Sequence, residues 1–549
     1  MTTTNSIQQF LFTGDIHGNV SRVARFVFLF KQLQKQNPNA ISVFSGDFLG
    51  PTIQSSFTKG DFEIQVLKKI YSNNSVIALG NHDFDYGEEQ LEKLILQLHV
   101  PIVVSNIQFI NEASPLKKLF RSHYLFENNS QKFVFMGLLP YEMKHTSDTV
   151  KSIQVLNFLE TIQCIENKIH DIQNEFPNEN IYFVLLSHLG VELDKQLVKK
   201  FRNVLILGGH SHTVEPLYVD TNTGSALSHA GYNANYIGCI GMQINKNNNI
   251  QFSGELFPVL SALPEDFNTK NILNKINLMI NQELKMDIHK EVINLNIKSR
   301  FSGCDWDPQE DNHAGQARYN DTFITRIMAD AMVDAIRLET GDSEYIGLFH
   351  GGGVRSYLPS GVITVSDIHS VLPFPQYLVT INVTGKDLLI ALELGVGLTN
   401  WGQRAGLLHP SSRLVYSYDI NQPRGSRLRY VLLDQQPLDI NQVYKLVTNN
   451  WVASGKDGQE IFLANYAEIG KIKEYKHLKQ LDVFSRYLQA HKQQIANEEI
   501  VNSQEVFGRR IIASPSLDEA RKIAKKLEYA RGKEKMLSIN EIKLDRFIR

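Results

Sequence analysis

Five short segments of the sequence place carboxylates, imidazoles or a carboxamide directly after an apolar run. They are Gly14-Asp15-Ile16-His17-Gly18-Asn19, Gly46-Asp47, Gly80-Asn81-His82-Asp83-Phe84-Asp85, Ser187-His188 and Gly209-His210-Ser211-His212. Side chains of these types bind hard or borderline divalent ions, and no thiolate is among them. Each segment alone also fits a helix cap or a buried polar group. Metal chemistry therefore depends on whether the five segments meet in space.

The elements that precede these segments predict that they do meet. Short apolar runs alternate with helical stretches over the first 260 residues, which is the pattern of an α/β fold with mostly buried strands. Ligands of such layered folds collect beyond the carboxyl ends of the strands. Because all five segments occupy that position, we expect their side chains to converge on one rim of a sheet.

The supply of candidate ligands exceeds what one ion needs. The candidates are Asp15, His17, Asp47, Asn81, His188, His210 and His212. With one carboxylate as a bridge, the set matches two ions about 3.5–4 Å apart. Oxygen and nitrogen donors suit manganese, zinc, magnesium, cobalt or iron alike, so the sequence predicts two divalent metal ions without distinguishing among them.

Taken in this order, the five segments resemble the signature of the calcineurin-like metallophosphoesterases. The spacing from Asn81 to Asp85, together with the second half of the chain, narrows the resemblance to the 5'-nucleotidase family. The resemblance covers residues from about 9 to 511. It implies an α/β protein with an N-terminal four-layer αββα sandwich, joined by a helix to a mixed α/β C-terminal substrate domain.

The resemblance also implies a role for each candidate in the first half. One ion pocket would comprise Asp15, His17, Asp47 and His212. The other would comprise Asp47, Asn81, His188 and His210. Asp47 would bridge, because a carboxylate has two oxygens to share. His82 and Asp85 match the catalytic pair of the family. The protonated imidazole would stabilise charge on the phosphoryl oxygens, the carboxylate would orient it, and a metal-bound water or hydroxide would attack.

Motifs in the second half resemble the substrate-binding part of the family. They are His350-Gly351-Gly352-Gly353-Val354-Arg355, Val371-Leu372-Pro373-Phe374-Pro375 and Ser454-Gly455-Lys456-Asp457-Gly458. Glycines allow close backbone approach, and a guanidinium can fork onto a phosphate. The resemblance assigns substrate contacts to Arg318, His350, Arg355, Leu408, Trp451 and Asp457. Trp451 would stack on a base, and Leu408 would cover the opposite face, where the family usually has an aromatic residue.

Two departures from the family leave the substrate open, since His350 replaces an asparagine and Leu408 replaces an aromatic residue. We predict a two-metal phosphomonoester hydrolase that acts on nucleoside 5'-monophosphates. A second hypothesis is the same chemistry on sugar phosphates, nucleotide-sugars or cyclic nucleotides. A third is a non-catalytic metal-binding scaffold, although a scaffold has no need of the pair formed by His82 and Asp85.

The composition of the chain gives expectations about its binding partners and its cellular compartment. The 549 residues are 42% hydrophobic and 21% charged, and a formal net charge of −2 gives no overall attraction to nucleic acid or to a membrane. No apolar run approaches membrane-spanning length, and no signal-peptide pattern is present at the start. The three cysteines are far apart, which favours a reducing compartment. We therefore expect a cytoplasmic enzyme of nucleotide catabolism, whose oligomeric state the sequence does not indicate.

Changes of pattern along the chain predict four segments. Residues 1–263 form the catalytic domain, 264–286 a connecting helix, 287–511 the substrate-binding domain and 512–549 a helical tail. Apolar residues at helical spacing mark the connecting helix, namely Ile272, Ile276, Met279 and Ile280. A capping box of Ser516 and Glu519 begins the tail, which is either a basic helix docked on the body or a segment that binds a partner.

Overall fold

The structure is a computed structural model of the chain. It describes residues 7–513, except 51, 129–130, 142–149, 246–249, 285–286, 296–316, 318–320, 356–357, 359–360, 398–405, 435, 457–458, 460, 463–471, 494 and 496–509. The predicted tail helix lies outside these residues. The chain divides into two compact units between residues 286 and 287, and each unit has its own sheets and its own core.

The first unit alternates strands and helices along the chain. Its strands are β1 (Ile7–Thr13), β2 (Ile41–Ser45), β3 (Ser75–Ala78), β4 (Ile102–Val103), β5 (Ile107–Phe109), β6 (Phe120–Arg121), β7 (Tyr124–Asn128), β8 (Gln131–Leu138), β9 (Ile153–Val155), β10 (Ile181–Ser187), β11 (Val204–Gly208), β12 (Val214–Val219), β13 (Ala226–Ala230), β14 (Tyr236–Ile244) and β15 (Ile250–Pro258). Its helices are α1 (Val23–Gln36), α2 (Ile53–Thr58), α3 (Asp61–Leu67), α4 (Glu88–Leu96), α5 (Leu116–Leu119), α6 (Phe158–Glu175), α7 (Val191–Lys200) and α8 (Phe267–Leu284), with a 3₁₀ turn at His82–Phe84.

Two sheets carry most of these strands. A seven-stranded sheet has the order β15-β14-β1-β2-β3-β4-β6, and a six-stranded sheet has the order β12-β13-β11-β10-β8-β7. The central strands β1 to β4 run parallel in the first sheet, as do β8, β10, β11 and β13 in the second. Because parallel strands end at the same edge of a sheet, the loops after β1, β2 and β3 leave one rim, and those after β10 and β11 leave one rim of the other.

The sheets pack face to face through fully buried aromatic and branched side chains. The rings of Phe10 on β1 and Phe133 on β8 have centroids 5.6 Å apart in an edge-to-face arrangement. Alternate residues of β8, such as Val134 and Met136, point to the other face and pack with buried residues of α6 and α7. On the far side of the first sheet, α1 packs against β14. These layers confirm the predicted αββα sandwich.

Helix α8 matches the segment predicted as a connector, and it packs against α1, α2 and α3 of the first unit. Of the apolar residues at helical spacing, Ile276 and Ile280 are buried and Met279 is 46% exposed. No helix among the described residues combines the length and the apolar character that crossing a membrane requires.

The second unit is a mixed α/β structure, as predicted. Its strands are β16 (Glu291–Leu295), β17 (Ile346–His350), β18 (Gly361–Thr364), β19 (Tyr377–Thr384), β20 (Leu408–Pro410), β21 (Leu414–Tyr418), β22 (Leu428–Leu433), β23 (Gln436–Pro437), β24 (Val443–Asn449), β25 (Ile472–Lys479) and β26 (Ile511–Ala513). Its helices are α9 (Phe323–Thr340), α10 (Val365–Val371), α11 (Gly385–Gly397), α12 (Asn450–Ala453) and α13 (Gln480–Ala490). The larger sheets have the orders β20-β17-β24-β19-β25 and β23-β22-β21-β26.

Candidate metal centre

The loops after β1, β2, β3, β10 and β11 carry the side chains predicted as metal ligands. The structure brings the carboxylates and imidazoles among them into two groups, and a third group, of His17, Asp47 and His82, overlaps both. Within each group the candidate ligand atoms lie within 4.8 Å of one another. The first group is Asp15, His17 and His212. The second group is Asp47, His188 and His210.

The two groups are adjacent, and the carboxylates face both of them. In the first group, Nε2 of His17 lies 2.9 Å from Nε2 of His212 and 3.5 Å from Oδ1 of Asp15. In the second group, Nε2 of His188 lies 2.9 Å from Oδ2 of Asp47. The same Asp47 oxygen is 3.9 Å from Nε2 of His17, so this carboxylate contacts histidines of both groups.

Asn81 lies on the loop after β3 and belongs to the same cluster of candidate ligands. The residue is buried, and its Oδ1 has no hydrogen-bond partner among the described residues. A buried carbonyl oxygen without a partner is costly unless it binds something else. The next residue, His82, donates its backbone N–H to Oδ1 of Asp47 at 2.7 Å, which brings Asn81 beside the second group. This donor set of oxygens and imidazole nitrogens fits divalent ions.

The backbone is strained at most of the predicted metal ligands. Five of the seven predicted ligands have a positive φ between +49° and +75°, namely Asp15, His17, Asp47, His210 and His212. A non-glycine residue rarely adopts this conformation, and such outliers concentrate at functional sites. Close packing adds to the constraint, because a Cβ at Gly80 would collide with the carboxylate of Asp47 and the imidazole of His188. The loops therefore hold these side chains in fixed positions.

Asp83 is a positioning residue that the sequence interpretation missed. Its buried carboxylate accepts backbone N–H bonds from Asp47 at 3.0 Å, from Phe48 at 2.8 Å, from Leu49 at 3.1 Å and from Gly80 at 2.8 Å. Burial and the charge of Asp47 raise the pKa of Asp83 to about 7. The side chain thereby joins the loop after β2 to the loop after β3. Its only signal in the sequence was its place inside the motif that runs from Gly80 to Asp85.

Electrostatics favour an ionised Asp47 at the centre. Burial alone would raise the pKa of Asp47, but His188, His82 and His17 hold it well below its usual value. Burial alone would lower the pKa of His188, whereas Asp47 and Asp15 raise it to about 10. A carboxylate that stays charged while fully buried is suited to a cation.

His82 and Asp85 lie beside these groups as a hydrogen-bonded pair. Nδ1 of His82 is 2.8 Å from Oδ2 of Asp85, one turn further along the chain. The imidazole ring of His82 also meets that of His17 edge-to-face, with centroids 5.3 Å apart. The side chain of Asp85 is 38% exposed and that of His82 is 15% exposed. The pair thus reaches from the candidate metal ligands toward solvent, where a substrate can approach.

Comparison with known proteins assigns the family. Residues 9–214 match the calcineurin-like phosphoesterase domain, and residues 306–464 match the C-terminal domain of 5'-nucleotidase. The chain belongs to the 5'-nucleotidase family. It is therefore a phosphoric ester hydrolase, and the resemblance inferred from the motifs is confirmed.

Several proteins of this family align over most of the chain. The 5'-nucleotidase of Homo sapiens is 24% identical over 475 residues, which are 79% of this chain and 78% of that protein. The trifunctional nucleotide phosphoesterase protein YfkN of Bacillus subtilis is 24% identical over 490 residues, which are 82% of this chain but only 32% of YfkN. The fold resembles that of the 5'-nucleotidase precursor of Thermus thermophilus, with a TM-score of 0.73 and 23% identity over 89% of this chain and 97% of that chain.

In the 5'-nucleotidase C-terminal domain, the structure corrects one predicted substrate contact. Leu408 pairs with His350 across β20 and β17, and its side chain is fully buried in the hydrophobic core of that unit. It therefore has no surface with which to cover a base. His350 is also buried, at the end of β17. The predicted contacts Arg318 and Asp457 lie outside the described residues.

An exposed aromatic residue of this 5'-nucleotidase domain was missed instead. Phe374 is 37% exposed, and the guanidinium of Arg355 lies 5.9 Å from the centre of its ring. The signal was present in the sequence, because Phe374 stands between Pro373 and Pro375 and proline does not continue a central strand. An aromatic residue held outside the sheets in this way is available to a ligand.

Trp451 lies in the short helix α12, which is bonded to the residues that follow Phe374. Asn450 accepts the backbone N–H of Tyr377 at 3.0 Å, and Asn449 donates its side-chain amide to Gln376 at 2.7 Å. These bonds join residues 376–377 to the start of α12, which contains Trp451. The ammonium group of Lys456 lies 5.7 Å from the centre of the Trp451 ring. Two aromatic rings, each with a nearby cation, therefore lie on neighbouring segments of the chain.

Proposed function

We propose that the chain is a two-metal phosphomonoester hydrolase that releases phosphate from nucleoside 5'-monophosphates. The observation that carries the proposal is the meeting of two ligand groups at Asp47, with the pair of His82 and Asp85 beside them. The names of the relatives point in the same direction, since several are 5'-nucleotidases.

Each group with its neighbours would hold one divalent ion. The first pocket would comprise Asp15, His17, Asp47 and His212. The second pocket would comprise Asp47, Asn81, His188 and His210. When bound, such ions supply positive charge opposite the phosphoryl oxygens and lower the pKa of water toward neutrality. The chain's own part is to hold these side chains rigidly, which the strained loops and the hydrogen bonds of Asp83 support.

His82 would act directly on the reacting phosphoryl group. Its ring is oriented through Nδ1 by the carboxylate of Asp85, so a positive imidazolium would face the substrate. A fixed positive charge of this kind stabilises the charge that develops on the equatorial phosphoryl oxygens during transfer. Asp85 would act through His82, as a positioning residue.

In the second unit, Phe374 and Trp451 would contact the base, and Arg355 would contact an anionic part of the substrate. The exposed ring of Phe374, the half-buried ring of Trp451 and the neighbouring cations support this assignment. Aromatic rings accept any base by stacking, whereas specificity requires polar contacts. We therefore expect activity on several nucleoside monophosphates rather than on one.

A phosphate-release screen tests the proposed function. Purified protein is incubated with nucleoside 5'-monophosphates, cyclic nucleotides, nucleotide-sugars and sugar phosphates, each with Mn²⁺, Mg²⁺, Zn²⁺ or Co²⁺. We expect release from nucleoside 5'-monophosphates to exceed release from sugar phosphates, and chelation to abolish it. A preference for sugar phosphates would contradict the substrate, and activity that survives complete chelation would contradict the metal requirement.

The aromatic pair gives a more specific prediction. Base stacking on an aromatic side chain contributes about 1–3 kcal/mol, which is roughly 5- to 150-fold in binding. Trp451→Ala and Phe374→Ala are therefore each expected to raise KM for AMP by about that factor. Hydrolysis of p-nitrophenyl phosphate, which has no base to stack, is expected to change little. The measurement is KM and kcat for both substrates with each variant.

Leu408→Ala is the matched control for these variants. Because Leu408 is fully buried, its truncation is expected to lower the free energy of unfolding by about 2–5 kcal/mol without a selective rise in KM for AMP. Equal effects of Trp451→Ala on both substrates, or none on either, would contradict base stacking by this residue.

A further inference from the structure

The loop after β13 places an aromatic ring against one of the candidate metal ligands. The rings of Tyr232 and His212 are stacked, with centroids 4.6 Å apart and planes inclined by only 2°. At the edge of the same imidazole, Nε2 of His212 lies 2.9 Å from Nε2 of His17 and 3.6 Å from Oδ1 of Asp15. Tyr232 therefore covers one face of the ring while the nitrogen points toward the first ligand group.

This loop is fixed to the same segments that carry the first ligand group. The backbone N–H of Asn233 donates to the carbonyl oxygen of Asp15 at 2.7 Å, and that of Gly231 donates to Thr213 at 3.0 Å. Asn233 and Ala234 have φ values of +54° and +55°. Two consecutive non-glycine residues in this conformation are costly, so the surrounding contacts must hold the turn in place. The ring of Tyr232 is thus held in a fixed position against the imidazole of His212.

We propose that Tyr232 is a positioning residue that holds the imidazole of His212 ready for the ion of the first pocket. The inference rests on the proposed function, because it takes His212 as a ligand. The side chain of His212 is 20% exposed, so without a neighbour its ring could adopt other rotamers. A parallel ring restricts the imidazole to one plane and thereby removes part of the ordering cost of metal binding.

The stacked ring of Tyr232 is the group that the geometry assigns to this task. Tyr232→Leu removes the stack, and Tyr232→Phe keeps it. An aromatic pair contributes about 0.5–1.5 kcal/mol beyond its buried area, which is roughly 2- to 12-fold in Kd. We expect Tyr232→Leu to weaken the binding of one of two equivalents of Mn²⁺ by about that factor, and Tyr232→Phe to bind both equivalents like the unmodified protein.

The experiment measures Mn²⁺ binding by the full chain in competition with a chelator, and it includes His212→Ala as a reference for the first pocket. Melting temperatures of the metal-stripped proteins report any general structural effect. We expect Tyr232→Leu to weaken the same equivalent that His212→Ala removes, while its metal-stripped melting temperature stays close to that of Tyr232→Phe.

Three results would overturn the inference while leaving the proposed function intact. In the first, Tyr232→Leu binds Mn²⁺ as tightly as the unmodified protein. In the second, Tyr232→Leu and Tyr232→Phe weaken Mn²⁺ binding equally. In the third, the weaker binding of Tyr232→Leu comes with a metal-stripped melting temperature below that of Tyr232→Phe. If the unmodified protein bound fewer than two equivalents, the proposed two-metal function would fail, and the inference that rests on it would fail with it.

Discussion

Asp47→Asn is expected to remove both phosphatase activity and metal binding. The carboxylate lies 2.9 Å from Nε2 of His188 and 3.9 Å from Nε2 of His17, so its charge serves both ligand groups. An amide of the same shape keeps the packing but has no charge and only one oxygen. We expect phosphate release to fall by a factor on the order of 10³ or more, with loss of both equivalents of metal. Elemental analysis and phosphate release measure the two effects.

Asp171→Asn is the control for this substitution, because Asp171 is an exposed carboxylate on α6. Its metal content and turnover are expected to equal those of the unmodified protein. An Asp47→Asn protein that retained two equivalents of metal with near-normal turnover would show that the bridging role is wrong. Retention of one equivalent would show that Asp47 belongs to one pocket alone.

The convergence of the candidate metal ligands could be predicted from sequence because these residues follow a local rule. Each candidate ligand comes directly after a buried strand, and the parallel strands β1, β2 and β3 must end at one rim. Strand ends and polar residue types are both visible in the sequence. Asp15 and His212 come from different sheets, so their grouping depends on the face-to-face packing of the two sheets. The expectation that all five segments share one rim of a single sheet was wrong on this point, because the segments after β10 and β11 belong to the second sheet.

The substrate half could not be predicted as well, because burial there depends on strand pairing over long distances. Leu408 is buried because β20 pairs with β17 and closes over the core of its unit. Nothing local distinguishes it from an exposed leucine. Phe374, by contrast, is exposed because two prolines keep it out of a strand, and that signal was local. Residues whose position is set by their neighbours in sequence are the ones open to prediction, although Phe374 itself was missed.

Asp83 and Tyr232 illustrate a second limit of sequence reasoning. Each acts on a residue of another loop, through backbone hydrogen bonds in one case and a ring stack in the other. The spacing of residues in the sequence does not single out either one, because Asp83 lies in a motif with another carboxylate and Tyr232 lies in a turn. Such contacts become visible only when the loops are placed together, which is why no role was predicted for either residue.

His82→Ala is expected to separate chemistry from metal binding. The imidazole lies against His17 at the edge of the ligand groups, and Asp85 rather than an ion would engage its Nδ1. Its loss should therefore leave metal content unchanged while it lowers kcat by roughly 10²–10⁴-fold, the usual contribution of one positioned acid or charge stabiliser. The measurements are kcat for a nucleoside monophosphate at saturating metal and metal content by elemental analysis.

Two further variants decide what a loss of activity in His82→Ala means. Asp85→Asn keeps an oxygen beside Nδ1 and leaves the imidazole in place, so its effect on kcat should be smaller than that of His82→Ala. His170→Ala on α6 removes an exposed imidazole that belongs to none of the ligand segments, and it should change neither quantity. A reduction of kcat smaller than about fivefold in His82→Ala would refute a direct role for the imidazole. A reduction accompanied by loss of metal would instead make His82 part of the metal site, because the chemistry and the binding would then depend on the same side chain.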